Sequence, residues 1–119
     1  MAFRFREFNV YKDAKKFVSN IYKISKRFPK EECFGLTSQI RSAAISIVLN
    51  VAEGSDRGSD KEFNRFINIA IGSVNEVVAA LDIALDNEYL KADTYNVLLS
   101  QAEKIVKQLS NFSKKLKKP

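Results

Sequence analysis

The sequence predicts an all-α protein, an antiparallel up-down-up-down four-helix bundle formed by residues 1–119 as a single domain. Only four glycines and two prolines interrupt the chain, which argues against a many-stranded sheet. Apolar residues recur at helical spacing in four long segments, at about 10–27, 35–53, 60–88 and 92–116. The connections between these segments are short, so we expect consecutive helices to be antiparallel neighbours.

An N-terminal arm precedes the first helix, with Phe3, Phe5 and Phe8 alternating with Arg4 and Arg6. This alternation predicts an extended segment. The arm could stack bases between its aromatic rings, as single-strand binders do. The alternative is that its phenylalanines dock on the bundle or on a neighbouring subunit, which we favour because three exposed phenylalanines would form an exposed apolar patch.

The first helix is expected to end before Phe28-Pro29, because the residue before a proline is pushed out of helical geometry. Its basic residues share one arc opposite the apolar side, interrupted only by Asp13. Two interpretations stay open, a solvated polar face or a surface that binds a polyanion. The basic residues are Lys12, Lys15, Lys16, Lys23, Lys26 and Arg27.

The second and third helices form the apolar centre of the chain, and each carries a second apolar stripe beside its core stripe. Helices that are apolar on two sides usually have two partners, which predicts self-association. The extra stripes consist of Ile45, Val48, Leu49 and Ala52 in the second helix, and of Ile69, Ile71, Val78 and Leu85 in the third.

Several residues of this central hairpin have a predicted structural role. Gly54 is expected to close the second helix in a left-handed conformation, and Ser59 with Glu62 to cap the third. Gly72 inside the third helix predicts a close approach by another helix. A polar line along the second helix predicts a hydrogen-bonded network within that helix, with Arg41, or with Asn75 and Glu76 of the third. The line is Gln39, Ser42, Ser46, Asn50 and Glu53.

The fourth helix carries lysines opposite its apolar side, and the first and last helices of such a bundle are neighbours, so the two basic faces can merge. Residues 10–30 hold seven Lys or Arg and one acid, residues 100–119 hold six Lys and one acid, and residues 61–99 hold three basic and six acidic side chains. Basic ends of this kind indicate a polyanionic partner. Adding Lys104, Lys107, Lys114 and Lys115 to the six basic residues above completes the predicted nucleic-acid-binding set.

Nothing in the sequence indicates catalysis, a metal or a cofactor. The chain has no histidine, and the turn Gly54–Ser59 lacks the lysine and hydroxyl residue of a phosphate-binding loop. Cys33 is the sole cysteine, so we expect no internal disulfide and treat it as a small apolar contact. No signal peptide and no run of roughly 20 apolar residues is evident, which predicts a cytoplasmic protein with no membrane partner.

The segments FPKEECFGLTSQIRSAAISI, NVAEGSDRGSDKEFNRFINIAIGSVNE and EYL resemble the 23S rRNA-intervening sequence proteins. The resemblance covers residues 3–112 and implies a four-helix bundle that assembles as a homopentamer. A related branch, the accessory proteins of diversity-generating retroelements, implies a nucleic acid or a reverse transcriptase as partner. The family's helix-two proline is absent here, where Ser46-Ile47-Val48-Leu49-Asn50 stands, so a straighter helix is expected.

The sequence therefore leads to two hypotheses. The first is a non-enzymatic oligomeric scaffold that binds RNA or DNA through the basic faces of helices one and four. The second is a protein-interaction module that uses the apolar faces of helices two and three and has no direct role with nucleic acid.

Overall fold

The computed structural model describes residues 2–118 and contains four α-helices within them. They are α1 (Asn9–Ser25), α2 (Leu36–Ser55), α3 (Asp60–Asp86) and α4 (Ala92–Lys117). Short 3₁₀ helices at Arg4–Glu7 and Lys30–Glu32 precede α1 and α2. No strand is present in residues 2–118, so the predicted all-α fold with four helices is confirmed.

Each helix contacts the next one along the chain, and α1 also contacts α4. One continuous core lies between them, because each helix turns its main apolar stripe towards the same centre. The largest side chains that are fully buried in this core include Phe17, Ile21, Ile40, Ile47, Ile67, Leu81, Leu98, Ile105 and Leu109.

The second apolar stripe of α3 is covered only in part within the protomer, because Ile69 is 41% exposed while its other three residues are half-buried. Ile71 and Val78 are half-buried against the core, because α3 packs against both α2 and α4. Ile45 of α2 is also half-buried, whereas Leu49 remains 59% exposed. The protomer alone therefore leaves Ile69 and Leu49 exposed, and the predicted self-association stays a prediction.

The predicted ends of α1 and α3 each lie two residues too late. α1 ends at Ser25 because the following turn tightens to i→i+3 bonds, with Phe28 N donating to Ser25 O at 3.1 Å. α3 ends at Asp86 in a Schellman motif, in which Glu88 takes a φ of 61° and Tyr89 N donates to Ala84 O at 2.8 Å.

The close approach between helices lies at Gly54, which was expected to end α2, and not at Gly72, where it was predicted. Gly54 does not adopt a left-handed conformation but lies buried inside α2, where a Cβ would stand 2.7 Å from Phe66 Cβ and 2.9 Å from Phe63 Cδ1. It therefore permits the close crossing of α2 and α3. A Cβ on Gly72 would meet nothing within 4 Å, so the predicted close approach there is wrong within the protomer.

A small polar network joins α2 to α3. The hydroxyls of Ser46 and Ser73 are 2.8 Å apart, and Asn50 Nδ2 donates to Ser46 Oγ at 2.9 Å. Ser73 Oγ donates in turn to Ile69 O at 3.2 Å. Of the five residues in the predicted polar line, Ser46 and Asn50 form this network, and Gln39, Ser42 and Glu53 are exposed. The partner on α3 is Ser73 and not Asn75 or Glu76. Ser59 caps α3 as predicted, its Oγ accepting from Glu62 N at 3.2 Å.

The N-terminal arm is a 3₁₀ turn and not an extended segment. Phe8 lies in an aromatic cluster, with ring centroids 6.3 Å from Phe63 and 5.2 Å from Phe112. Arg4 Nη2 donates to Ser55 O at 3.0 Å and so satisfies a carbonyl at the end of α2. These contacts support docking of the arm, although Phe3 at its tip is 67% exposed.

The environment of Cys33 and the apolar character of α3 both differ from what was expected from the sequence. Cys33 is exposed, which does not fit the small apolar contact expected from the sequence. Among the described helices, α3 is long and apolar enough by length and composition to cross a membrane, although it contains no uninterrupted run of 20 apolar residues. Core helices pass the same test, and α3 contributes ten buried residues to this fold.

Candidate nucleic-acid interface

Polar side chains join α1 to α4 along a surface seam. Gln108 Nε2 donates to Asp13 Oδ2 at 2.8 Å, and Asn20 Nδ2 donates to Gln101 Oε1 at 3.2 Å. Asp13 and Asn20 are seven residues apart, as are Gln101 and Gln108, so each pair lies on one face of its helix. These bonds fix the rotation of the two helices about their axes and therefore decide which lysines lie beside the seam.

Three of the predicted lysines converge on this seam. Lys12, Lys16 and Lys104 line one open groove together with Asp13 and Gln108. Lys104 Nζ lies 3.4 Å from Asp13 Oδ2. Lys12 also lies 3.9 Å from Glu7 Oε2, and both of those side chains are more than half exposed, so the pair is weak. Positive charge is in excess in the groove.

The Asp13 carboxylate stays ionised beside these lysines. The hydrogen bond from Gln108 is the main cause that lowers its pKa below the ordinary value of 3.8, and the charges of Lys104 and Lys16 act in the same direction. Partial burial opposes the shift but does not reverse it. Asp13 therefore positions Lys104 and Gln108 while it neutralises part of the positive charge.

The other basic residues predicted for the first helix lie on several sides of α1 and on the turn that follows it. Lys23 follows Lys16 by seven residues, which is close to two full turns, so both lysines lie on the same face of α1. Lys15 points to another side of α1, with its Nζ 5.5 Å from the centroid of the Tyr11 ring. Lys26 is exposed, and Arg27 lines a separate groove beside the connection between α3 and α4.

The basic residues of α4 divide into two groups. Lys115 lies eleven residues, about three turns, after Lys104 and so shares its side of the helix. Lys107 and Lys114 instead line a groove between α3 and α4. The four lysines therefore do not line one groove. Lys107 is rotated by about 60° from Lys104 around α4, which turns it towards α3, while Lys104 lies beside α1.

The groove between α3 and α4, called here the α3–α4 groove, has an apolar floor and a polar rim. Its cavity volume is about 690 Å³. The floor consists of Val74, Val78, Leu99, Ala102 and Val106, and the rim consists of Asn75, Glu103, Lys107, Ser110, Asn111 and Lys114.

Reasoning from sequence missed the uncharged residues of the seam, Asn20, Gln101 and Gln108. Their shared spacing of seven residues on two neighbouring helices was the signal that could have identified them. Within residues 2–118, no group of three or more His, Cys, Asp or Glu side chains is arranged to hold a metal ion.

The chain is similar in fold and sequence to a known protein. A crystal structure of a protein with unknown function from the S23 ribosomal protein family, from Bacteroides thetaiotaomicron VPI-5482, superimposes with a TM-score of 0.82 and 25% identity. The match covers 88% of this chain and 98% of the other. Comparison with curated proteins gives no match. The family described as 23S rRNA-intervening sequence protein matches residues 6–111, and the chain therefore belongs to that family.

Proposed function

We propose that this protein is a non-enzymatic, homo-oligomeric scaffold that binds RNA or DNA through basic residues of α1 and α4. The proposed subunit is an antiparallel up-down-up-down bundle. The contacts Asp13 with Gln108 and Asn20 with Gln101 support this topology, because residue numbers rise along α1 as they fall along α4. The resemblance stated above suggests a pentamer, and a cytoplasmic location remains a prediction.

The observation that carries the nucleic-acid proposal is the convergence of lysines from two helices on one seam. Lys12 and Lys16 come from α1 and Lys104 from α4, and Asp13 is the acidic residue that lines the groove with them. Lysines act as point charges towards phosphate groups and read no base sequence. The groove residues include no aromatic side chain on which a base could stack. Binding is therefore proposed to follow the phosphate backbone.

Salt titration tests this proposal. Affinity for a structured RNA, measured by fluorescence anisotropy, should fall steeply with salt, because each neutralised phosphate contributes a slope of about 0.7 to 0.9 in log K against log[salt]. The double variant Lys16→Glu, Lys104→Glu should reduce that slope by about 1.5 and weaken binding at low salt. A matched control is Lys91→Glu, which makes the same type of charge change just before α4, at the far end from the Lys12 part of the seam.

Two results would contradict the proposal. The first is that the wild-type protein does not bind RNA or DNA at low salt. The second is that Lys91→Glu changes the slope per substituted charge as much as the seam variant does, since the seam would then have no special role.

A second candidate function is a protein-interaction module, such as a partner of a reverse transcriptase. Exposed apolar side chains on α2 and α3 favour it: Leu49 is 59%, Ile69 41% and Ile83 51% exposed. α2 also carries only two charged residues, Arg41 and Glu53. Light scattering separates the two ideas in part, because a stable monomer would leave these side chains free for another protein.

A further inference from the structure

Phe34 projects into solvent from the loop that leads into α2, and it is 97% exposed. The loop behind it is ordered by hydrogen bonds. Glu32 Oε1 accepts from Leu36 N at 3.1 Å, and Glu32 Oε2 accepts from Tyr89 OH at 3.0 Å. Gly35 N also donates to Glu32 O at 3.0 Å. An aromatic ring held out on an ordered loop loses little entropy on binding, as anchor residues of interfaces do.

The α3–α4 groove is a receptor of suitable chemistry for such a ring. Its floor is apolar and half-buried, with Val78, Leu99 and Val106 facing the opening. Its volume of about 690 Å³ exceeds what one phenyl ring needs, so the backbone beside the ring can enter as well. Phe34 and the groove belong to different surfaces of the chain.

The charges around the two features are complementary. Lys30 and Glu31 are exposed on the Phe34 loop. Glu103 and Lys107 lie one helical turn apart on the rim of the groove. The loop thus offers one cation and one anion to a stretch of the rim that offers one anion and one cation, and Lys114 adds a second cation farther along the rim.

We propose that Phe34 of one copy inserts into the α3–α4 groove of a second copy, with Glu31 facing Lys107 and Lys30 facing Glu103. This inference rests on the homo-oligomer part of the proposed function. Because the contact joins two different surfaces, it is heterologous and forms a ring if the rotation between copies closes. Lys107 then serves assembly and not the nucleic-acid seam.

Substitution of Phe34 tests the contact. Phe34→Ser should weaken self-association at least about tenfold in sedimentation equilibrium, because it removes the central apolar anchor. The helical circular dichroism signal should not change, since Phe34 is almost fully exposed in the protomer. Phe3→Ser is the matched control, because Phe3 is also exposed, at 67%, and should leave assembly unchanged.

A charge exchange tests the register of the contact. Glu31→Lys and Lys107→Glu should each weaken association, and the double variant should recover most of the loss. Cys33 provides a proximity probe, because it is the sole cysteine and neighbours Phe34. A short bismaleimide should link Cys33 to Ser110→Cys on the rim of a second copy, and should not link it to Ser19→Cys on α1.

The outcomes distinguish failure of the Phe34 contact from failure of the homo-oligomer proposal. A wild-type protein that is monomeric at all concentrations overturns both the homo-oligomer and the Phe34 contact. A wild-type oligomer that is unaffected by Phe34→Ser overturns the Phe34 contact alone, as does cross-linking of Ser19→Cys as efficient as that of Ser110→Cys.

Discussion

Replacement of Gly54 by alanine tests the close crossing of α2 and α3. The added Cβ would lie 2.7 Å from Phe66 Cβ and 2.9 Å from Phe63 Cδ1, closer than carbon atoms pack. The Cβ of Phe66 is fixed to the backbone of α3, so the helices must separate. Overpacking of a core costs about 1 to 3 kcal/mol, and the better helix propensity of alanine returns about 1 kcal/mol. Because Phe66 Cβ cannot move aside, we take the upper part of the overpacking range, about 2 to 3 kcal/mol, and expect a net loss of about 1 to 2 kcal/mol.

Urea denaturation followed by circular dichroism measures this loss as a lower midpoint with an unchanged slope. Gly72→Ala is the matched control, because Gly72 also lies inside a helix and a Cβ there would meet nothing within 4 Å. It should raise the free energy of unfolding by about 0.5 to 1 kcal/mol. Protein concentration must be the same for all variants, since assembly contributes to apparent stability.

The reasoning about Gly54 is refuted if Gly54→Ala is as stable as the wild type or more stable. A destabilising effect of Gly72→Ala, in contrast, would mean that a second copy of the chain approaches α3 at that residue. The two variants thus distinguish a contact within the protomer from one between protomers.

Two further predictions concern polar contacts. The pKa of Asp13 is lowered in the fold, so its stabilising contribution is present above the ordinary pKa of 3.8 and is lost as the pH falls through the lower folded value. Asp13→Asn should therefore lower stability at pH 7 by less than about 1 kcal/mol, since the site is solvent-screened, and the difference should vanish in acid. Ser73→Ala removes the acceptor for the Ser46 hydroxyl and should cost about 1 kcal/mol in urea denaturation.

Each of these two predictions has a clear contrary result. Asp13→Asn would contradict the seam geometry if its stability difference from the wild type were the same at pH 3 and pH 7. The control for Ser73→Ala is Asn68→Ala, which removes an exposed polar side chain from the same helix. The network would be contradicted if both variants had the same free energy of unfolding as the wild type.

The positions of the helices follow from local sequence, because periodicity, caps and breakers act over a few residues. Ser59 capped α3 as expected, and the predicted helix bounds differed from the observed ones by no more than two residues. The sequence also predicted a basic side on the first helix, since the spacing of those residues follows from 100° of rotation per residue. Three of the ten predicted residues, Lys12, Lys16 and Lys104, line the seam groove, and binding of nucleic acid there stays a prediction.

How these helices combine depends on contacts between distant parts of the chain. Whether Lys104 or Lys107 lies beside α1 depends on the rotation of α4 about its axis, which the bond between Asp13 and Gln108 fixes across 95 residues of chain. The role of Gly54 likewise depends on where α3 crosses α2, and no local pattern contains that information. Contacts between distant segments set both outcomes, because packing side chains from two helices into one space is a property of the pair and not of either sequence.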